Sequence, residues 1–122
     1  MQGKYKRGVR SATMGTEVQL SKGILEGCVL RLVKDDFLFS AQIVAAMCEA
    51  GFDFSEGTLY PMLLRLEKDD CFVTAKVASP TGAPKKYYKL SPHGLERLAE
   101  FEESWNKMRE NVNNVLGGED RA

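Results

Sequence analysis

Residues 71–90 interrupt a chain otherwise patterned for helices. Cys71–Ala78 reads "CFVTAKVA" and Lys85–Leu90 reads "KKYYKL", both rich in β-prone side chains. Between them, Ser79–Pro84 is dense in turn residues. Two such runs around a turn predict an antiparallel hairpin with a flexible, basic-edged tip. Before and after it the apolar spacing is helical, so the fold expected is mainly α with one small β-hairpin.

Three helices precede the hairpin. Leu20, Ile24, Cys28 and Leu32 recur every four residues, with Leu25 and Val29 alongside, and Asp35-Asp36 ends the pattern. Ser40 caps a second helix over Ala41–Ala50, with Ile43, Val44, Met47 and Ala50 on its apolar face and Gly51 as its left-handed terminator. A third runs from about Ser55 to Asp70. After the hairpin, Ser91-Pro92 is a cap followed by proline at the first helical position, and a long last helix runs to Leu116 before Gly117-Gly118. Three helices followed by a hairpin resemble a winged helix-turn-helix, and the short link through Gly51 fits that motif. The organisation expected is a basic flexible arm over 1–19, a winged helix-turn-helix over 20–90, a C-terminal dimerisation helix over 91–116 and a tail over 117–122. Met14 is an alternative start for the chain.

Net charge is zero, which hides an asymmetry. Residues 1–90 carry 13 Lys+Arg against 10 Asp+Glu, and residues 91–122 carry 4 against 7. Lys4, Lys6, Arg7 and Arg10 form a basic arm, and Lys85, Lys86 and Lys89 a second basic cluster. Both suit a polyanion. No apolar run approaches the roughly 20 residues of a membrane span, and no signal-peptide core is visible, so a cytoplasmic protein is expected. Cys28, Cys48 and Cys71 are odd in number and lack CxxC spacing, which reads as buried free thiols in a reducing compartment.

The third helix carries the chemistry. Turned at about 100° per residue, it places Leu59, Met62, Leu63 and Leu66 inward and Gly57, Pro61, Arg65 and Lys68 outward. Thr58 and Tyr60 lie on the shoulders, and Leu64 also points out, with the wing as its candidate cover. A major groove admits such a helix, N-terminal end first. Lys85 and Lys86 sit where a wing meets phosphate, which gives affinity rather than sequence preference. Pro61 is the anomaly, since an interior helix proline costs about 3 kcal/mol. Its place depends on where the helix starts. From Ser55 it removes the bond to the Gly57 carbonyl. From Thr58 it lies in the first turn, where its N–H would be unpaired anyway.

The blocks "KGILEGCVLRLV", "EGTLYPMLLRLEKDD" and "PKKYYKLSPHG" resemble the PadR family of bacterial transcriptional regulators, over roughly Leu20–Leu116. The single C-terminal helix resembles the compact PadR subfamily. "FEESWNK" is similar to the tail of multidrug-binding PadR-like repressors, where a tryptophan stacks on flat aromatic drugs. The resemblance implies a dimeric winged-helix repressor of a palindromic operator, with the third helix in the major groove. Ser55, Thr58, Tyr60, Arg65, Lys85 and Lys86 are then the DNA-contacting candidates. The family's paired tyrosines map to Tyr87 and Tyr88, and alternation puts them on opposite faces of the strand, one in the core and one toward DNA. The basic arm before Leu20 is longer than the family's usual lead.

The last helix is readable without the family. Leu98, Phe101, Trp105, Met108, Val112 and Val115 follow spacings of 3, 4, 3, 4 and 3, an a/d seam. At 1.5 Å per residue the helix is about 37 Å long and outruns a small winged-helix core. The seam therefore needs a partner, most simply a second copy, which makes these six residues the expected dimer interface. Trp105 has two readings. It is a packing anchor of that interface, or, with Phe101 and Met108 as walls, the platform of an inter-subunit site for a flat aromatic effector.

Other functions fit less well. His93 lies near Ser91 and Glu96, but no nucleophile–base–orienter set is visible, so no enzyme is expected. Cys28, Cys48, Cys71 and His93 lack metal-ligand spacing, and no cofactor is called for. The remaining alternatives are a winged helix that binds protein rather than DNA, and a constitutive DNA-binding regulator with no effector.

Overall fold

The computed structural model of the chain describes residues 23–117. The expected basic arm over 1–19, the start of the first helix at Leu20 and most of the tail lie outside the described residues. The order is α1 (23–32), β1 (Leu38–Phe39), α2 (Ser40–Glu49), α3 (Glu56–Lys68), β2 (Phe72–Ser79), β3 (Gly82–Leu90) and α4 (Pro92–Leu116).

The core forms where the apolar faces of the helices converge. Val29, Leu30 and Val33 come from α1 and the turn after it, Ile43 and Met47 from α2, and Leu59, Met62, Leu63 and Leu66 from α3. Tyr88 and Leu90 of β3 and Leu98 of α4 close it. Gly27 lets α4 approach α1, because a Cβ there would overlap the ring of Phe101. The turn after α2 is made by Gly51 at φ +109°, a conformation that L side chains rarely adopt.

The hairpin is longer than the sequence suggests and is part of a three-stranded antiparallel sheet of order β1-β3-β2. Its turn is only Pro80-Thr81, with Ser79 paired to Gly82. Pro84 is tolerated inside β3 because the register shifts between Val77 and Ser79, leaving Ala83 and Pro84 opposite Ala78 in a bulge. The unexpected strand is β1, where Leu38 pairs with Tyr88 and Phe39 with Tyr87. That pairing moves the start of α2. Phe39, fixed in the sheet, takes the cap position expected of Ser40, and its N–H donates to the Gln42 side chain at 3.0 Å.

The Tyr87–Tyr88 alternation resolves clearly. Tyr88 is buried edge-on to Phe72, with ring centroids 5.2 Å apart, whereas Tyr87 meets Phe39 on the opposite face at 5.3 Å. The cysteines are free thiols, but only Cys71 is buried. Cys48 is exposed near the end of α2, which corrects the expectation of buried thiols throughout.

Candidate nucleic-acid interface

α3 begins where its capping chemistry begins. The Ser55 side chain accepts the Thr58 N–H at 3.4 Å, and Glu56 in the first turn complements the helix dipole. The start at Ser55 settles the position of Pro61. It lies inside the helix, beyond the first turn, and leaves the Gly57 carbonyl without its helical donor. Both residues are exposed, so water can serve that carbonyl.

Ser55, Thr58 and Tyr60 come together at the exposed start of α3. The Ser55 and Thr58 hydroxyls lie 3.3 Å apart and share a hydrogen bond. Tyr60 is 57% exposed, and Leu64, one turn on, is 66% exposed. The wing does not cover Leu64.

The three predicted cations are placed differently from one another. Arg65 turns away from the outer face to Glu26 of α1, which accepts its Nε–H at 2.8 Å and also meets its Nη2. Glu26 is shared, since Arg97 of α4 lies 3.9 Å away and itself reaches Asp69 at 3.4 Å. One carboxylate thus joins α1, α3 and α4. Lys86 extends from β3 to α3, donating to both Glu67 oxygens at 2.8 and 2.9 Å. That hydrogen bond holds the Lys86 pKa above the ordinary lysine value. Lys85 points to the other face of the sheet, with its Nζ 4.2 Å from the centre of the Phe39 ring. Lys89 sits similarly over Phe37 at 5.6 Å. Neither has a carboxylate partner among the described residues. Glu26, Glu67, Phe37 and Phe39 escaped sequence reasoning, because each acts across a contact that no local spacing encodes.

The second predicted site divides at Phe101. Leu98 is 2% exposed and packs in the core of its own chain, so the expected interface residue at the head of the seam is already covered. Phe101 lies against Gly27 and lines a cleft of about 180 Å³ between α1 and α4, with Glu26, Leu30, Arg97 and Ser104. Trp105 and Met108 are not in that cleft. From Glu102 to Leu116 every residue of α4 is exposed, and Trp105, at 39%, stands on this outlying half with Met108, Val112 and Val115. Arg31 of α1 lies 4.0 Å from Glu102 at the start of this half.

The sequence profile of the transcriptional regulator PadR-like family matches residues 29–100. The chain belongs to the PadR-like family of transcriptional regulators. Members of this family are regulators of transcription rather than enzymes. No curated protein matches the sequence significantly. Solved structures similar to this PadR-like chain include a PadR-like transcription factor from Bacteroides fragilis, 39% identical, with TM-score 0.71, covering 83% of this chain and 98% of its own. A PadR-like regulator from Bacillus cereus is 37% identical, with TM-score 0.72, over 80% of this chain and 96% of its own. Bacillus subtilis PadR, solved in complex with operator DNA, shares the fold at 20% identity and TM-score 0.59, over 64% of this chain and 45% of its own. The family match ends before Trp105 and leaves out the outlying half of α4. No helix among the described residues is long and apolar enough to cross a membrane.

Proposed function

We propose that this PadR-like chain is a homodimeric, ligand-responsive repressor of a palindromic operator, acting in the cytoplasm. The outward face of α3 enters the major groove and the wing follows the phosphate backbone. The observation that carries this reading is the state of α3. Its inner face is fully packed, its outer face is bare from Gly57 to Lys68 among the described residues, and a wing is fixed beside it through Lys86 and Glu67. A major groove about 12 Å wide accepts one such helix. The operator complex of Bacillus subtilis PadR, a protein of the same fold, supports the reading.

Ser55, Thr58 and Tyr60 are the candidates for contact at the leading end of α3. Lys85, which has no carboxylate partner among the described residues, is the candidate for phosphate. Arg65 and Lys86 act first as struts that orient α3 and the wing. Trp105, Met108, Val112 and Val115 face a second copy, and two-fold symmetry of the pair matches a palindrome. Trp105, with Phe101 and Met108 near it on the helix, is the platform for a flat aromatic effector.

Two titrations test this. Full-length protein added to duplex DNA should bind with an affinity that falls linearly in log salt, and Lys85→Ala should lower that slope by about one. No binding at low salt would favour a winged helix that binds protein. Flat aromatic compounds should quench the fluorescence of the single tryptophan. A panel that leaves it unchanged would reduce the proposal to a constitutive regulator.

A further inference from the structure

The outer face of α3 is poor in available hydrogen-bonding side chains. At about 100° per residue, Leu64, Gly57, Lys68 and Pro61 lie farthest from the core, with Tyr60 beside them. The nearby polar groups are engaged. The Thr58 hydroxyl is bonded to Ser55, Arg65 to Glu26, and Glu67 to Lys86. α3 contains no Asn or Gln. Bidentate reading in the major groove uses Arg or Lys for guanine and Asn or Gln for adenine. Only Lys68, at the far end of the helix, remains for such a role. Yet the centre of the face is Leu64, 66% exposed, beside Pro61 and a 57% exposed Tyr60. One major-groove feature suits an apolar surface, the C5 methyl of thymine.

We propose that Tyr60, Pro61 and Leu64 form a methyl-reading surface that selects thymine-bearing base pairs. The inference rests on the DNA-binding reading above and names the chemistry that α3 recognises. From Tyr60 to Leu64 the helix rises about 6 Å, close to two base-pair steps of about 3.4 Å, so the surface reaches no more than three successive pairs. Sequence preference then comes from methyl burial, and the phosphate contacts supply affinity without preference.

The test starts from duplexes selected by the full-length protein out of a random-sequence pool. Each thymine of the selected site is replaced in turn by deoxyuridine, which removes only the methyl. One or two positions per half-site should lose about fourfold in affinity per methyl removed. At one of them Leu64→Ala should bind thymine and deoxyuridine duplexes equally. Leu64 is exposed, so the variant keeps its fold, which circular dichroism verifies. Deoxyuridine tolerated at every position would overturn the inference. So would a deoxyuridine loss of the same size in Leu64→Ala and Tyr60→Ala, since the methyl would then act through DNA stacking. A pool from which no duplex is retained at low salt would instead overturn the DNA-binding reading itself.

Discussion

Lys86 holds Glu67 from 19 residues away, so its role is set by tertiary structure and not by its neighbours. Sequence reasoning placed it at phosphate because "PKKYYK" is basic and lies in a wing. The fold then offers a carboxylate on the facing helix. The pair is about a third exposed on each side, which limits it to roughly 0.2–1 kcal/mol. Its pH dependence follows from the direction of the shift. The Glu67 hydrogen bond raises the Lys86 pKa above 10.5, so the contribution is complete below that value and is lost as pH rises through the folded-state value. Thermal unfolding of the wild type and Lys86→Met should therefore differ by at most a few degrees up to pH 10.5. The difference should close at higher pH, and one that persists undiminished there would contradict the assignment. Arg65 and Glu26 were illegible for the same reason, being 39 residues apart. The buried leucines of α3 were legible because helical spacing alone selects them.

At the scale of elements, what was readable had a local cause. α4 starts at Pro92 because Ser91 caps it, accepting the Gly94 N–H at 3.0 Å, and proline suits the first helical position. α3 follows its apolar stripe despite Pro61. β1 has no such cause. Two residues carry no period, and the strand exists because β3 offers an open edge. The wing was underestimated because Pro84 reads as turn until a bulge accommodates it. Glu26 is the element-scale device that links these pieces, with arginines from α3 and α4 on one carboxylate that is 17% exposed. Glu26→Gln keeps its shape and removes its charge. It should cost about 1–3 kcal/mol, read as a lower urea midpoint at unchanged slope. An unchanged midpoint would show that α1 holds α3 and α4 by apolar packing alone.

The whole molecule divides into a packed body and a projecting half-helix. The residues from Glu102 to Leu116 rise about 22 Å and are all exposed among the described residues. Trp105, Met108, Val112 and Val115 keep the a/d spacing along that length, while Leu98 has turned inward to the core. In the proposed dimer a second copy buries the remainder, and Val112→Asp should then give a folded monomer in sedimentation at micromolar concentration. A wild type already monomeric there would contradict the dimer. The charge asymmetry suits the proposed division of labour, a basic wing for DNA and an acidic C-terminal segment for dimerisation. The central claim is that the bare face of α3 reads duplex DNA, and its most direct test places a negative charge at the middle of that face. Leu64→Glu, compared with the wild type on one selected duplex at fixed salt, should lose at least about tenfold in affinity through phosphate repulsion and groove mismatch, with unchanged thermal stability. Equal affinity of the two proteins would show that α3 does not face DNA.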